Sequence, residues 1–443
     1  MLAAKTNAVL PPKIGTHRWT ICALVFFATT INYLDRQVIS LLKPTLEQEF
    51  HWSESDYSNI VVAFQFAYAM GMITIGRLID TVGTKIGYAL TLAFWSIASI
   101  LHAAASGTVS FMLYRAFLGF TEAGNFPAAI KTVAEWFPQR ERAFAAGIFN
   151  SGSNIGAIIA PVVVPWLALQ YSWQTAFIVT GAVGFIWLIF WLLLYQIPEK
   201  HNTLSKAEYD YIRSDATHQS SEIKTETATI SWRTLLGYKQ AWAFIVGKFF
   251  TDGIWWFMLF WLPAFLKAQY RLEGMQVSLP IAVVYIMAGV ASIFGGWLPM
   301  WFVNRRGWSM VRARKTVMFL YACFPLAVLF AQAAGRYNLW FAIVIIGIAA
   351  SAHQAWSANL YTTVSDMFPN RLVASVIGLG GMAGSIGGMG ISKSAGLLFD
   401  HYKALGHIQT GYYIMFVVSG VAYLLAWCLM FRVLVPNMTR VKM

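Results

Sequence analysis

Long apolar blocks alternate with short polar segments along most of the chain. The blocks are about 20 residues long, the length at which an α-helix crosses the hydrocarbon core of a bilayer. Charged and turn-forming residues cluster between the blocks, for example at 80–85 and 135–142. The pattern therefore predicts an all-α, polytopic membrane protein with twelve transmembrane helices.

The predicted helices form two sets of six on either side of one long polar segment. The first set is 19–42, 56–79, 84–105, 109–131, 141–168 and 173–196. The second set is 241–266, 277–301, 314–332, 338–364, 372–398 and 411–434. We therefore divide the chain into an N-terminal half at 1–197, a cytoplasmic linker at 198–240 and a C-terminal half at 241–443. In the linker, Ser205 and Glu208 form a capping-box pattern, which predicts a short surface helix.

The composition excludes several other classes of protein. Of the 443 residues, 58% are hydrophobic and only 12% are charged, against a charged share of roughly 25% in soluble domains. This balance excludes a soluble enzyme, a fibrous protein and a disordered chain. The first apolar block starts at Trp19 and has no small-residue cleavage site, so we expect a retained helix rather than a cleaved signal.

The basic residues are unevenly distributed between the two sides of the predicted bundle. The formal net charge is +13, and most Lys and Arg residues lie in the N-terminus, the linker, the C-terminus and the loops of that same side. Because basic residues accumulate on the cytoplasmic side of a membrane, both termini are predicted to be cytoplasmic. Topology thus explains the positive charge, and we expect no nucleic-acid partner.

An internal repeat relates the two predicted halves. The segment 135–140 (EWFPQR) recurs 231 residues later as 366–371 (DMFPNR), and the same offset relates Gly156 to Gly387. A repeat that runs through loop and helix predicts two parallel six-helix halves related by an axis along the membrane normal. In such proteins the substrate site lies near the bilayer midplane, between the halves.

One loop motif resembles the signature of the major facilitator superfamily. The segment 76–85 (GRLIDTVGTK) matches the family's loop between the second and third helices, and 296–307 carries a weaker echo of it. The matching motif residues are Gly76, Asp80, Gly83 and Lys85. The resemblance implies the fold of two pseudo-symmetric six-helix halves and a conformational role for this loop.

Within that superfamily the chain is similar to the anion:cation symporters. The segment 32–36 (NYLDR) carries this resemblance, as does Arg115 followed by Glu122 and by 126–128 (FPA). Similarity to bacterial hexuronate transporters is found at 83–88, 135–138, 172–174, 176–178 and 352–355. The resemblance covers nearly the whole chain except the linker and the tails, and it implies symport of a sugar acid with a proton.

Ionisable residues inside spans are costly and usually functional. They are Asp35, Arg36, Arg115, Glu122, Lys248, Asp252 and Lys393. Arg36 is the predicted ligand of a substrate carboxylate, because its planar guanidinium can hold a carboxylate with two hydrogen bonds. Tyr33 lies on nearly the same helix face and Tyr68 offers a hydroxyl and an aromatic wall; family members use matching residues at the substrate. The alternatives are a permanent ion pair for Arg36 and ordinary packing for the tyrosines.

Asp35 and Glu122 are the predicted proton carriers. Burial in a helix bundle makes a carboxylic acid hold its proton more tightly, so that it can load and release one near neutral pH. Arg115 and Glu122 are seven residues apart, two turns along one helix face, so Arg115 would pair with the ionised acid and release it on protonation. The resemblance points to the same three residues. A structural salt-bridge network is the alternative.

The seventh span carries a stripe of polar and aromatic residues. Lys248, Asp252, Trp255 and Trp256 follow helical spacing, so they would offer a second charge and a stacking surface for a sugar ring. A Lys248–Asp252 pair with the tryptophans against lipid is the alternative. Lys393 has no motif support and is predicted to be an end-of-helix cation that reaches towards the surface.

Two further groups are predicted to bind sugar hydroxyls. His353 and Gln354 are polar residues within the apolar tenth span, and Asn150, Ser153 and Asn154 share one face of the fifth span. The alternative for His353 is a satisfied core histidine. The alternative for the fifth-span residues is hydrogen bonding between helices.

The sequence contains no spacing typical of a metal or nucleotide site. Zinc-ligand spacings, a nucleophile elbow and a phosphate loop are all missing, so we expect no cofactor, no metal and no enzymatic activity. The glycine-rich run at 378–390 lies inside a span and predicts close helix packing instead. Cys22, Cys323 and Cys428 are predicted to be small buried hydrophobes, not disulfides or metal ligands.

These observations together predict proton-coupled import of a hexuronate, glucuronate or galacturonate, across the cell inner membrane. The transporter would act as a monomer in contact with membrane lipid. Substrate would bind Arg36, and protonation of Asp35 and Glu122 would permit the two halves to rock. Aldonate transporters carry an asparagine where this chain has Gly381, which weakens an aldonate assignment. The alternatives are another organic anion (galactonate, an aldarate or an unsaturated uronate) and a membrane sensor that binds without transport.

Overall fold

The computed structural model of the chain describes residues 15–214, 232–368 and 370–441. A few side chains within these ranges, at 77, 80, 139–140, 142–144, 300, 365 and 370–374, are not described. All regular elements of the described residues are helices. The predicted all-α fold is therefore confirmed.

The helices follow one another closely along the chain. The first seven are α1 (His17–Phe50), α2 (Glu54–Val82), α3 (Thr84–Leu101), α4 (Thr108–Glu122), α5 (Asn125–Trp136), α6 (Gln139–Gln170) and α7 (Trp173–Leu194). Two short helices, α8 (Lys206–Ile212) and α9 (Trp232–Leu236), belong to the predicted linker, of which residues 215–231 lie outside the described part. The remaining helices are α10 (Lys239–Tyr270), α11 (Ser278–Arg306), α12 (Met310–Cys323), α13 (Ala331–Gly335), α14 (Leu339–Met367), α15 (Asn370–Ala404) and α16 (Ile408–Cys428).

Ten helical segments of the described residues are long and apolar enough to cross a membrane. They coincide with ten of the twelve predicted spans. The predicted spans at 19–42 and 109–131 are also helical, but α1 carries six charged residues and α4 is only 15 residues long before the turn that leads to α5. A total of twelve membrane-crossing segments therefore stays a prediction.

The same pairs of neighbouring helices recur in the two sets. Helix α1 packs against α6, α2 against α4 and α3 against α7. Correspondingly, α10 packs against α15, α11 against α14, and α16 against the segment between α12 and α13. A Cβ atom on Gly156 would collide with the carbonyl oxygen of Thr30 on α1, and one on Gly387 with that of Phe249 on α10. The close helix packing predicted for the glycine-rich run is therefore confirmed.

The two sets of helices meet along α2 and α15, α6 and α11, and α1 and α10. At the end of the bundle that carries the N-terminus of α2, which we call the latch end, charged groups join the sets. The Asp400 carboxylate of α15 accepts hydrogen bonds from the backbone N–H groups of Glu54 and Ser55, each at 2.9 Å. The Nζ atom of Lys403 lies 2.8 Å from a carboxylate oxygen of Glu47 on α1. The latch end of the molecule is thus closed.

The short helix predicted in the linker is present as α8. The Ser205 hydroxyl accepts a hydrogen bond from the Glu208 backbone N–H at 3.2 Å. The Glu208 side chain is buried, however, and accepts hydrogen bonds from the backbone N–H groups of His17 and Arg18 at 3.2 and 3.1 Å. Because this carboxylate caps the start of α1, α8 is docked onto the bundle.

The cysteines correct one prediction. Cys22 is buried as expected, but Cys323 is only partly buried and Cys428 is exposed. Cys323 lies on α12 and Cys428 on α16, and the outer faces of these helices expose large hydrophobic side chains, for example Phe319 and Val421. Such faces are suited to lipid, because water is not required to solvate them.

Candidate substrate and proton site

Arg36 lies on α1 in the interior of the bundle, with 2% of its surface exposed. Its Nε atom donates a hydrogen bond to the Glu122 carboxylate of α4 at 2.5 Å. Its Nη2 atom has no hydrogen-bond partner within the described part of the chain. The ion pair that was the alternative for Arg36 is therefore formed, yet one edge of the guanidinium is still open to a further oxygen atom.

Four aromatic rings surround the Arg36 guanidinium. Its Cζ atom lies 4.8 Å from the ring centres of Tyr33 and Tyr68, 5.3 Å from that of Trp256 and 5.5 Å from that of Phe64. Aromatic faces attract a cation and exclude water from it, so charge interactions at this place are stronger than in water. Both sets of helices contribute, because Trp256 comes from α10. Phe64 was not among the predicted site residues, although it lies one turn before Tyr68 on α2.

The two predicted proton carriers are fully buried and have different partners. Asp35 accepts a hydrogen bond from the Ser99 hydroxyl of α3 at 3.0 Å, whereas Glu122 is held by Arg36. Each acid retains one oxygen without a partner among the described residues, Oδ2 and Oε1 respectively. These oxygens can carry a proton without disrupting an existing bond.

Arg115 does not make the pair that its spacing predicts. Its Nη2 atom donates to the backbone carbonyl of Arg36 at 2.9 Å, and no ion pair joins it to an acid of the described residues. The Glu122 carboxylate forms its ion pair with Arg36 instead. Arg115 thus ties α4 to α1 and adds a second positive charge beside the pair.

The predicted polar stripe is present on α10, and its Lys248 and Asp252 side chains neutralise each other's charge. The Lys248 ammonium lies 2.6 Å from the Asp252 carboxylate and donates to the Tyr361 hydroxyl at 3.0 Å. Trp255 and Trp256 are 7% and 6% exposed. The two tryptophans therefore face the interior, and the alternative that placed them against lipid is wrong.

His353 and Gln354 on α14 both reach neighbouring helices. The His353 ring stacks on Trp255 at 4.8 Å between centres and 10° between planes, and its Nδ1 atom is 2.7 Å from the Tyr423 hydroxyl. The Gln354 amide donates to the Asn154 side chain of α6 at 3.5 Å. Gln354 therefore lies where the two sets of helices meet, whereas these contacts of His353 stay within the second set.

The three predicted residues on α6 differ in how available their polar atoms are. Asn150 is half-buried. The Ser153 hydroxyl donates to the Asn150 carbonyl at 2.7 Å, a bond within its own helix that competes with substrate binding. The Asn154 Nδ2 atom has no partner within the described residues. Asn154 is thus the member of this group with a free donor.

The loop motif lies at the junction of α2 and α3. Gly83 separates the helices with a φ of 86°, a left-handed conformation that favours glycine. Gly76 lies in the last two turns of α2, and the Lys85 carbonyl accepts a hydrogen bond from the Trp191 indole at 2.9 Å. The Asp80 side chain lies outside the described residues.

Two remaining residues on α15 contact α2. A Cβ atom on Gly381 would lie 2.6 Å from the Cε atom of Met72, so Met72 fills the space that a larger side chain would need. The Nζ atom of Lys393 donates to Asn59 at 2.7 Å. Lys393 is exposed but lies well before the end of α15 at Ala404, which corrects its assignment as an end-of-helix cation. No cluster of three metal-ligating side chains is found among the described residues.

Comparisons with known proteins bear on this geometry. Residues 25–392 match the Major Facilitator Superfamily. The hexuronate transporter of Escherichia coli K12 is 34% identical over 391 residues, which cover 88% of this chain and 89% of that protein. The galacturonate transporter of Dickeya chrysanthemi is 33% identical, over 70% of this chain and 89% of that protein. The D-galactonate transporter of Escherichia coli O6:H1 is 29% identical, over 88% and 91%. The crystal structure of a D-xylose-proton symporter has a TM-score of 0.72 at 15% identity, over 96% of this chain and 100% of that one.

Proposed function

The chain belongs to the major facilitator superfamily, and on that premise we propose that it imports a hexuronate, such as glucuronate or galacturonate, together with a proton. It is a multi-pass membrane transporter of organic anions and not an enzyme. One observation carries the finer proposal: the buried cation Arg36 pairs with an acid, Glu122, and keeps an open guanidinium edge inside an aromatic cage.

Because Glu122 and the substrate carboxylate share Arg36, binding of the substrate is coupled to protonation of Glu122. With Glu122 ionised, a substrate carboxylate would place two negative charges on one guanidinium in a water-poor site, which is unfavourable. With Glu122 protonated and no substrate, Arg36 would be buried without a counter-ion, which is also unfavourable. The two favourable states are therefore an empty carrier with ionised Glu122 and a loaded carrier with protonated Glu122. In the loaded state both N–H groups of the fork can face the substrate carboxylate.

Asp35 and Arg115 support this exchange. We assign Asp35 as a second proton carrier, because it is fully buried beside Ser99 without a cationic partner among the described residues. Arg115 holds the backbone of α1 at Arg36, so that α1 and α4 move as one unit. Its charge stabilises the ionised acids when the carrier is empty.

The residues around the cage suit a sugar acid. Trp255 and Trp256 offer stacking faces for the ring, and Tyr33 and Tyr68 offer hydroxyl groups next to Arg36. Sugar hydroxyls need polar partners in an otherwise apolar site. The following residues are assigned to that role: Asn150, Ser153, Asn154, His353 and Gln354.

Transport follows from rocking of two halves, 1–197 and 241–443, about this site, with 198–240 as the linker. The recurring helix pairs support this division. We assign the latch end to the outside of the inner membrane and the termini to the cytoplasm, because the basic residues concentrate at the opposite end. The α2–α3 turn with Gly76, Asp80, Gly83 and Lys85 then lies on the cytoplasmic side, where it would close when the latch end opens.

An aldonate is the second candidate substrate, which the D-galactonate relative favours. The contact between Gly381 and Met72 argues against it, since it leaves no polar side chain at this position of α15. A cyclic uronate needs fewer contacts there than an open chain does.

Uptake of labelled glucuronate into proteoliposomes, with and without an inward proton gradient, tests the proposal. Galacturonate, galactonate and glucose serve as competitors. We expect gradient-driven accumulation that the uronates block and glucose does not. Flux that ignores the gradient would reject proton coupling, and competition by galactonate without uronate flux would move the assignment to the second candidate.

A further inference from the structure

A tyrosine that the proposed function does not use holds the ring of His353. Tyr423 on α16 is buried, and its hydroxyl oxygen lies 2.7 Å from Nδ1 of His353 and 3.5 Å from the carbonyl oxygen of Thr251. Its ring packs edge-on against Trp356 at 5.8 Å between centres. On the other edge of the imidazole, Nε2 has no hydrogen-bond partner within the described residues.

The hydrogen bond that the Tyr423 hydroxyl donates determines which nitrogen of the His353 imidazole carries the hydrogen. A backbone carbonyl can only accept, so the contact with Thr251 requires the hydroxyl to donate there. The hydroxyl oxygen then accepts from Nδ1–H of His353, and both contacts are satisfied. A neutral imidazole that is protonated on Nδ1 carries its lone pair on Nε2. The free edge of His353 is therefore a hydrogen-bond acceptor.

We propose that Tyr423 is a positioning residue that makes His353 an acceptor, and that this selects substrates with a hydroxyl group at the end remote from the bound carboxylate. The proposal rests on the proposed function, in which Arg36 binds that carboxylate. A hydroxyl can donate to Nε2. A second carboxylate offers only lone pairs and would meet the lone pair of Nε2 in a water-poor site, where an unsatisfied polar group is costly. The site thus selects against dicarboxylates.

The cation of the polar stripe on α10 does not offset this selection. The ammonium of Lys248 already contacts Asp252 at 2.6 Å and donates to the Tyr361 hydroxyl at 3.0 Å. A second substrate carboxylate would have to displace Asp252, which would leave that acid buried without its partner.

Galactonate and galactarate are matched probes, because they differ only at one end, a hydroxymethyl group in the first and a carboxylate in the second. Their affinities are measured by binding to the purified full-length protein and as inhibition of glucuronate counterflow. The wild type should prefer galactonate, and Tyr423→Phe should reduce this preference about tenfold, the factor expected for one mismatched buried hydrogen bond. The imidazole is then free to carry its hydrogen on Nε2 and to donate to the carboxylate.

Two further variants separate positioning from packing. His353→Gln, whose amide can donate, should also lower the preference, and adding Tyr423→Phe to it should change nothing more. Tyr412→Phe removes a hydroxyl from another buried tyrosine of α16, which packs on Phe399, and should leave the preference intact.

The inference would be overturned if Tyr423→Phe left the preference for galactonate over galactarate unchanged. It would also be overturned if Tyr423→Phe changed this preference equally in the wild-type and in the His353→Gln background. A wild type that binds both acids but carries no glucuronate would reject the proposed function, while the binding ratio would still test the role of Tyr423.

Discussion

At the scale of single residues, the proposed binding of the substrate carboxylate depends on the shape of the Arg36 side chain as well as on its charge. The guanidinium is paired through Nε to Glu122, and Nη2 is open. Truncating one partner of a buried ion pair typically costs about 3–5 kcal/mol, because the other charge loses its counter-ion. Arg36→Ala should therefore lose substrate binding and stability together, and it cannot separate the two roles.

Arg36→Lys separates them. Lysine keeps the positive charge and a partner for Glu122, but it cannot present two parallel N–H groups to a carboxylate. We expect the KM for glucuronate to rise about tenfold or more, as for the loss of one charge-assisted hydrogen bond, while the melting temperature changes little. Lys393→Arg, at an exposed position on α15, is the control. A wild-type KM in Arg36→Lys would show that the fork does not bind the substrate.

The sequence located the ionisable residues but not their partners. Arg36, Asp35 and Glu122 stand out because charges inside apolar spans are rare. Which acid holds Arg36 depends on how α1 crosses α4, a contact between residues 86 positions apart that no local pattern encodes. No sequence pattern marks Tyr423 as functional, because a lone tyrosine in an apolar span usually serves only in side-chain packing.

At the scale of helices, glycines on two faces of α15 set how closely it packs. One face meets α10 through Gly380, Gly384 and Gly387, and the other meets α2 through Gly381 and Gly396. Gly388 lies between them, against Trp256 of α10 and Gln65 of α2. Glycine-rich spans are a pattern that the sequence does reveal, and their use for close packing was predictable. The predicted span 109–131 ran through the break between α4 and α5, although Gly124, Asn125 and Pro127 are turn-forming residues at that point.

Gly387→Ala tests this packing. The added methyl group would collide with the backbone of Phe249, which cannot move without shifting α10, so we expect a loss of about 1–3 kcal/mol in stability. Gly390→Ala on the same helix has open space around it and should be neutral or slightly stabilising, since alanine favours helix. Thermal unfolding in detergent compares the two. Equal melting temperatures would show that α15 does not depend on this contact.

At the scale of the whole molecule, polar contacts between the two sets of helices hold the latch end closed. One of them is Asp400, which caps the start of α2 from the other set of helices. A helix cap is worth about 0.5–2 kcal/mol, which is enough to shift a balance between two conformations but not to unfold the protein. This contact joins residues about 345 positions apart, so no local sequence pattern indicates it.

Asp400→Ala should favour the conformation in which the latch end is open. Ser58 faces Gly396 of α15 and is fully buried, so a Ser58→Cys reporter in a background without native cysteines measures opening by its reaction with a membrane-impermeant thiol reagent. We expect the reaction to accelerate roughly 2- to 30-fold, the factor that corresponds to loss of one cap. Asp56→Ala removes the carboxylate that accepts hydrogen bonds from the Ser53 N–H and hydroxyl groups at the start of α2. It does not touch α15 and is the control. Equal rates in both variants would assign the effect to α2 alone.

We propose that Glu122 and the substrate carboxylate bind Arg36 alternately. Glu122→Gln imitates the protonated acid permanently, so the carrier can load substrate but can no longer release a proton. The measurement is glucuronate transport by this variant in proteoliposomes, once as counterflow and once as accumulation driven by a proton gradient. We predict counterflow close to that of the wild type and no gradient-driven accumulation. Normal accumulation by Glu122→Gln would contradict the account.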